Sequence, residues 1–290
     1  MAVLERQEVD AVLQGGLGAG IIALNPTDAC TLDIRGSSGL IRVNGGVVVV
    51  DSNHPTAACR SGNPTIDVAE LQVVGGGENG LEESVTGNIF TGADFVPDPL
   101  AALPEPNEPL VNHGDVRVNN NRSETLQPGT YEDIIINGGD VVFERGLYYI
   151  NGEFRFNGGT LDGTAGVMLF ISPDNQAEID VAGNGTFNLV GLTPISYPQG
   201  PAVPASVANI EVPIFQSRSN TNTAEFNGTA DWQIGGTIYV PAAELLLRGT
   251  PGTFANGLIA DTIQLRGTQD LVIDFDEQFE ALPRSVFLVE

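Results

Sequence analysis

The sequence contains no lysine, and its 12 basic residues, all arginine, stand against 37 acidic residues. The absence of lysine excludes a phosphate-binding loop of the GxxxxGK(S/T) type, whose lysine contacts the phosphates. The formal net charge of −25 repels phosphate backbones and anionic membrane surfaces. We therefore expect no nucleic-acid partner and a surface that attracts cations.

Cysteine and histidine are also scarce, at two residues each. So few ligands, with no CxxC pair, disfavour a zinc site of the Cys/His type. The even number of cysteines predicts a disulfide between Cys30 and Cys59, which requires an oxidising compartment. Two buried free thiols are the alternative.

Long apolar runs are missing as well. No stretch of about 18 apolar residues is present, so we expect no membrane span in this chain. The opening MAVLERQEVDAVLQ carries charges where a signal peptide needs an apolar core. Residues 1–18 are interpreted as an N-terminal segment with a short candidate helix at residues 3–14.

The rest of the chain consists of short alternating apolar runs that end at Gly, Asn or Pro. Runs such as GLIRVNG, YEDIIING, EFRFNG, GTIYVP and LVIDF have the length and alternation of β-strands. Helical periodicity is almost absent. These features predict an all-β fold.

The corners between these runs recur at regular distances. Asn-Gly-Gly begins at Asn137 and again at Asn157, and LLLRGT is followed 18 residues later by IQLRGT. A period near 20 made of strands and turns predicts a right-handed parallel β-helix, a solenoid of about ten turns. A β-sandwich or a propeller is the competing architecture, although a propeller blade needs a period of about 40.

Two proline-rich segments interrupt the pattern, near residues 94–112 and 193–213, each with five prolines. Proline cannot donate a hydrogen bond to a strand ladder, so both are predicted to be loops on the outside of the solenoid. The first could also separate two solenoid segments. The predicted organisation is a β-helix over residues 19–275 and a C-terminal tail or cap over residues 276–290.

The order of several motifs resembles one known family. The stretches at 19–58, 98–106, 126–172, 216–249 and 255–267 resemble the β-helical region of TadE/TadG-like proteins of Flp (Tad) pilus assembly, with the run PGTY…GLYYINGEF…NGG as the most specific part. The resemblance covers about residues 19–275. Such proteins begin with a pilin-like membrane helix, and its absence here fits a trimmed or processed chain.

This resemblance implies a non-enzymatic structural or adhesive module of a pilus-like appendage, located outside the cell or on its surface. The implied partners are pilus or other cell-surface appendage proteins, with self-association and glycans as further candidates. The resemblance supplies no catalytic residue.

The alternative function is a polysaccharide-active β-helix enzyme, either a lyase or a hydrolase. Such chemistry needs paired carboxylates, or Ca²⁺ with a basic residue. The candidate acids are Asp140, Glu144, Glu153, Asp162, Asp174, Glu178 and Asp180, and the candidate bases are Arg155, Arg248 and Arg266. No recognisable pair motif joins them, and His54 and His113 lack a triad partner motif, so we predict no catalytic residue.

Two further stretches could bind a ligand. Alternation in DLVIDFDEQFE places Asp270, Asp274 and Asp276 on one side of a strand, where they could bind Ca²⁺. The alternative is a solvated final strand whose charges block stacking at an open solenoid end. SRSNTNT at 217–223 could contact a glycan or could form a turn with internal hydrogen bonds. No other cofactor is expected.

Overall fold

The computed structural model describes residues 18–36, 40–120, 122–193, 201–228, 232–249, 253–267 and 271–275. This part of the chain is almost entirely β-structure, with one short 3₁₀ helix at Leu81–Glu83. Within it, no helix is long and apolar enough to cross a bilayer. The predicted N-terminal helix at residues 3–14 and the predicted C-terminal tail or cap at residues 276–290 lie outside the described residues.

The first thirteen strands are β1 (Gly18–Ala23), β2 (Leu32–Gly36), β3 (Leu40–Asn44), β4 (Gly46–Val50), β5 (Ala58–Gly62), β6 (Thr65–Val68), β7 (Glu70–Val73), β8 (Asn88–Thr91), β9 (Val116–Val118), β10 (Ser123–Leu126), β11 (Gly129–Tyr131), β12 (Ile134–Ile136) and β13 (Asp140–Phe143). The remaining twelve are β14 (Gly146–Ile150), β15 (Glu153–Phe156), β16 (Thr160–Ile171), β17 (Glu178–Gly183), β18 (Thr186–Gly191), β19 (Ile214–Gln216), β20 (Ala224–Gly228), β21 (Trp232–Gly235), β22 (Thr237–Gly249), β23 (Thr253–Ala255), β24 (Gly257–Arg266) and β25 (Leu271–Asp274).

The pairs between these strands are parallel, and they arrange the strands in three columns. Column A runs β11, β14, β16, β19, β22, β24, β1, β4, β7, β8. Column B runs β9, β12, β15, β17, β20, β22, β24, β2, β5. Column C contains β10, β13, β16, β18 and β21, and then β23, β25, β3 and β6. The long strands β16, β22 and β24 each contribute to two columns.

Alternation along each strand explains why the columns enclose one core. In column B, Ile134 and Ile136 pair in register with Phe154 and Phe156, and all four side chains are fully buried. Arg155, between the two phenylalanines, points to the outside, where it forms ion pairs. Parallel strands lie about 4.8 Å apart, so equivalent apolar residues on successive strands are in van der Waals contact.

The repeated Asn-Gly-Gly corners lie directly above one another between columns B and C. Asn157 Nδ2 donates to Asn137 Oδ1 at 2.8 Å, and Asn137 Nδ2 donates to Asn119 Oδ1 at 3.2 Å. Gly159 has φ +94°, and a Cβ there would lie 2.3 Å from the carbonyl oxygen of Gly139. The glycines therefore permit both the left-handed backbone and the close stacking of corners.

The order of strands along the columns differs from their order in the sequence. β24 pairs with β1 in column A and with β2 in column B, while β25 pairs with β3 in column C. The N-terminal strands β1–β8 thus continue the columns beyond the last described strand. The sequence-based prediction that Asp270–Glu280 forms an exposed final strand at an open end is wrong for β25, because this strand lies between β23 and β3.

The chain must therefore return from β8, at one end of column A, to the opposite end. Residues 92–111, which we call the strap, make this return and contain the first proline-rich segment. The strap crosses the outer surface of column A. There Leu100 and Leu103 are buried in a second apolar cluster with Met168, Phe170 and Phe215.

The second proline-rich segment is described from residue 201 onward. It forms a turn near residues 205–209, and Val212 makes an isolated antiparallel bridge with Leu192. Val207 and Ile210 pack in the same outer cluster as the strap. Both segments thus cover an apolar face of column A that would otherwise contact water.

Cys30 and Cys59, the pair predicted to be bonded, form a disulfide with a Cα–Cα distance of 4.9 Å. Cys59 lies on β5 and Cys30 precedes β2, and these two strands are neighbours in column B. The disulfide therefore joins two successive strands on one side of the stack.

Candidate functional site

Several polar contacts converge on Arg218, just after β19. Its Nη2 donates to the carbonyl oxygens of Leu100 at 2.9 Å and Leu103 at 2.8 Å, and to the Tyr239 hydroxyl at 3.1 Å. The guanidinium carbon lies 5.3 Å from the ring centres of both Phe215 and Tyr239. Arg218 thus holds the strap against column A by hydrogen bonds and cation–π contacts.

Acidic side chains of the strap complete this contact. Glu105 accepts hydrogen bonds from the Ser217 hydroxyl at 3.0 Å and from the Arg218 amide at 2.7 Å. Asp98 accepts one from the Tyr239 hydroxyl at 2.6 Å. Burial raises the pKa of Tyr239 well above its usual range, and the nearby Asp98 carboxylate acts in the same direction. The hydroxyl therefore keeps its proton as a donor.

The stretch at residues 217–223 is the predicted glycan contact or turn. It contains a turn with internal hydrogen bonds, from the Ser219 amide to the Ser217 hydroxyl at 3.3 Å and from the Asn222 amide to Asn220 Oδ1 at 2.9 Å. Asn220 is buried, and its Nδ2 donates to the carbonyl oxygens of Ser172 and Ala177, both at 2.8 Å. Asn222 Nδ2 donates to Ala177 as well, at 3.0 Å. These amides support the loop, and the glycan contact remains a prediction.

Three of the candidate acids meet on the outer surface of column B. Glu153 and Glu178 are register partners on neighbouring strands. Arg155 pairs with Glu153, and its Nε lies 3.5 Å from Asp180 Oδ2. Burial raises the pKa of Glu153, Arg155 opposes that rise, and Glu178 adds to it. The structure therefore brings Glu153, Glu178 and Asp180 together around one arginine.

The other candidate acids lie elsewhere. Asp140 lies on column C, where it pairs with Ser123 and Thr160 in register. Asp162 accepts hydrogen bonds from the Thr164 hydroxyl and amide, which lower its pKa. Asp174 accepts one from the Gln176 amide, and the backbone carbonyl of Glu144 accepts one from Tyr148. These contacts are local, so the four residues do not form one site.

Two of the candidate bases, Arg248 and Arg266, are register partners in one row of column B, which continues to Arg35. The third, Arg155, lies in another row, where it pairs in register with Asp180. Arg248 Nη1 lies 2.8 Å from Glu225, and Arg35 forms an ion pair with Asp33. Charge neutralisation by these carboxylates favours structural roles for Arg248 and Arg35.

The two histidines are held by local contacts. His54 Nδ1 lies 3.1 Å from the Thr56 amide and 3.0 Å from the Thr56 hydroxyl, and the His113 ring stacks on Tyr131 at 4.8 Å between centres. None of these contacts supplies the carboxylate that orients the histidine of a catalytic triad. These geometries favour structural roles for both side chains.

The proposed Ca²⁺ site is only partly described. Asp270 and Asp276 lie outside the described residues, whereas Asp274 ends β25 and accepts a hydrogen bond from Asn44 Nδ2 at 2.6 Å. In the described part of the chain, no group of three or more His, Cys, Asp or Glu residues is arranged to bind a metal ion. The Ca²⁺ interpretation remains a prediction.

Sequence reasoning missed the Arg218 contact. Its partners in the strap, Leu100, Leu103 and Glu105, lie more than 100 residues away. The available signal was an arginine inside an amide-rich loop and two acids in a proline-rich segment. Comparisons with models of known protein families, with curated proteins and with solved structures gave no match.

Proposed function

We propose that the protein is a right-handed parallel β-helix that serves as a non-enzymatic structural or adhesive module of a pilus-like surface appendage. The three columns support this winding because the chain passes through A, B and C in turn before it returns to A. Connections between parallel strands are right-handed in nearly all known cases. Each passage of the chain would then form one turn of the helix.

The observation that carries the proposal is the continuity of the parallel stack. Column A alone contains ten strands, which span about 43 Å at the usual spacing of parallel strands. Aromatic residues in edge-to-face contact, among them Phe154, Phe187 and Trp232, run through the core. A rod with a dry core resists bending, which suits a module that carries load or displays a surface.

Location outside the cytoplasm draws its support from the disulfide. Disulfides persist in oxidising compartments and are rare in the cytosol of most organisms. The Cys30–Cys59 bond therefore fits the extracellular or cell-surface location that the family resemblance implies. Appendage proteins, other copies of this chain and glycans are the partners that this location would offer.

One observation favours the polysaccharide-active alternative. Glu153 and Glu178 are register partners on neighbouring strands, and a glycosidase needs two carboxyl groups on one face. In such an enzyme Glu153 would be the general acid, because its pKa is raised, and Glu178 would be the second carboxylate. Arg155 opposes this role because its positive charge favours the ionised form of Glu153.

Incubation with a panel of acidic and neutral polysaccharides, with and without Ca²⁺, separates the two functions. New reducing ends and the absorbance of unsaturated products report turnover. We expect no turnover above buffer. Turnover that Glu153→Gln abolishes and Glu225→Gln retains would overturn the structural proposal, because Glu225 forms a similar ion pair with Arg248 outside the acid pair.

A second experiment tests the location. Source cells are sheared to release appendages, and an antibody against this chain is applied to the appendage, membrane and soluble fractions. We expect the chain in the appendage fraction. Recovery only with cytoplasmic markers would contradict the proposal.

A further inference from the structure

Residues 18–91 and 112–275 form two parts of the stack, here called the N-terminal block and the main block. They meet through the strand pairs β1–β24, β2–β24 and β3–β25, which include Ile21 with Leu258, Leu32 with Ile263 and Ile41 with Leu271. All three columns are therefore paired across this junction. Its backbone pairing resembles that between any two successive passages of the chain.

Side chains reinforce the junction. Gln264 Nε2 donates to Asp33 Oδ2 at 2.9 Å, and Asn44 Nδ2 donates to Asp274 Oδ1 at 2.6 Å. The members of these two pairs are 231 and 230 residues apart in the sequence. Long-range pairing, without any local chain connection, thus holds the two blocks together at this point.

The covalent link between the blocks divides into two sections. Residues 98–111 contact the main block through Asp98, Glu105 and Glu108, which reach Tyr239, Ser217 and Asn151. Residues 92–97 precede these anchors and contact the N-terminal block, where the Ala93 amide donates to Val73 and the Val96 amide donates to Asp51. We call residues 92–97 the hinge.

The hinge is short. Its six residues connect Thr91, which ends β8, to Asp98, whose side chain contacts Tyr239 on β22, five strands away in column A. A short hinge between two well-packed units is a typical setting for exchange of a unit between chains.

We propose that the N-terminal block exchanges between copies of this chain, so that β1, β2 and β3 of one copy pair with β24 and β25 of another. The same backbone and side-chain contacts form within one chain or between two chains. The pairing energy is therefore equal in both arrangements, and hinge geometry and protein concentration determine which arrangement is populated. The partner is a second copy of this chain, joined by strand pairing along the stack.

Both blocks can remain intact during this exchange. The disulfide joins Cys30 to Cys59 and lies wholly within the N-terminal block. Arg218 and Glu105 keep residues 98–111 on the main block of their own chain. The hinge contacts and the junction must open, together with the packing of Ile22, Val47 and Val49 in the outer apolar cluster. The inference rests on this strand order and does not depend on the proposed function.

Cysteine pairs across the junction test the exchange. Arg42 and Val272 are outward register partners in column C, where neither position pairs with a native cysteine, so Arg42→Cys with Val272→Cys places two thiols within disulfide range. Asp180→Cys with Glu225→Cys is the matched control, because both positions are register partners inside the main block. Each full-length variant is prepared as a mixture of ¹⁴N- and ¹⁵N-labelled chains, concentrated, warmed below its melting temperature and oxidised. Mass spectrometry of each size-exclusion fraction then shows whether a disulfide joins two peptides of one chain or peptides of two chains.

We expect the junction pair to link within one chain in the monomer and between chains in the oligomer, while the control pair links within one chain in both. Val96→Pro removes the amide that donates to Asp51, and it should raise the oligomer fraction several-fold at equal concentration. Oligomers whose junction pairs link only within chains would overturn the proposal. A chain that stays monomeric under these conditions, even with Val96→Pro, would overturn it as well.

Discussion

The Tyr239 hydroxyl donates a 2.6 Å hydrogen bond to Asp98, although 141 residues separate the two positions. Tyr239 lies on β22 near the middle of column A, and Asp98 belongs to the strap that returns the chain across the stack. The contact attaches the strap to column A, and Arg218 donates a hydrogen bond to the same hydroxyl. Strap attachment is therefore the first feature to test.

Arg218→Met should destabilise the protein by about 3 kcal/mol, because it removes the donor to two strap carbonyls and to Tyr239. Chemical denaturation measures the loss, and limited proteolysis should show earlier cleavage between residues 92 and 111. Arg117→Met is the matched control, since its ion pair with Asp133 is exposed and worth little. Equal effects of the two substitutions would refute a special role for Arg218.

Asp51→Asn should stabilise the protein at neutral pH. Burial raises the pKa of Asp51 from 3.8 to about 6, although the Val96 amide bond opposes this rise. A raised carboxyl pKa means that ionisation disfavours the folded state, so the contribution of Asp51 to stability grows as pH falls from 7 towards 4. The variant should gain on the order of 1–2 kcal/mol over the wild type at pH 7, and less below pH 4. Denaturation curves at pH 4, 5, 6 and 7 measure this difference, and a constant gain would count against the explanation.

Reduction of the Cys30–Cys59 disulfide should lower stability by about 3–4 kcal/mol, since the bond closes a loop with a sequence separation of 29. Thermal melts with and without reductant give the change. Mass spectrometry after alkylation verifies the thiol state, and full alkylation without reductant would show that the bond does not form.

Gly159→Ala should destabilise the protein by more than 2 kcal/mol, because a Cβ would meet the Gly139 carbonyl oxygen at 2.3 Å in a backbone with φ +94°. Gly114→Ala is the control, since Gly114 has φ +65° but its Cβ would enter open space, so we expect a loss of about 1 kcal/mol. Denaturant melts compare the two. A similar loss in both variants would show that corner stacking contributes nothing beyond the backbone conformation.

Sodium chloride should raise the melting temperature, because the net charge of −25 repels itself and 1 M salt reduces the Debye length to about 3 Å. If Asp270, Asp274 and Asp276 bind Ca²⁺, millimolar Ca²⁺ should raise it further than Mg²⁺ at equal ionic strength, and Asp274→Asn should remove that difference. Melts in matched NaCl, MgCl₂ and CaCl₂ test both statements. A flat or falling response to NaCl would contradict the screening argument.

The sequence predicts the strand content well because alternation is a local property. Ile134, Ile136, Phe154 and Phe156 are recognisable as core residues from spacing alone, and Asn137 and Asn157 mark equivalent corners. Parallel pairing at an offset of 20 residues follows from the same repeat. These features depend on neighbours within one repeat.

The strand order could not be predicted in this way. Val47 and Leu258 have the same strand-like surroundings in the sequence, and nothing local shows that β24 is followed in column A by β1 and then β4. The Arg218 contact was missed for the same reason, since it depends on where the strap lies. Pairing between distant segments depends on the apolar area that the whole fold buries and on the entropy lost when long loops close. No single sequence motif contains this information.

The junction also has a consequence for the time course of synthesis. Asn44, at the end of β3, leaves the ribosome 230 residues before its partner Asp274, an interval of about 10–50 s at the usual rates of translation. During that time β1, β2 and β3 present unpaired edges to other nascent chains and to chaperones. Local strand pairs can form early, but closure of this molecule must await almost its entire described length.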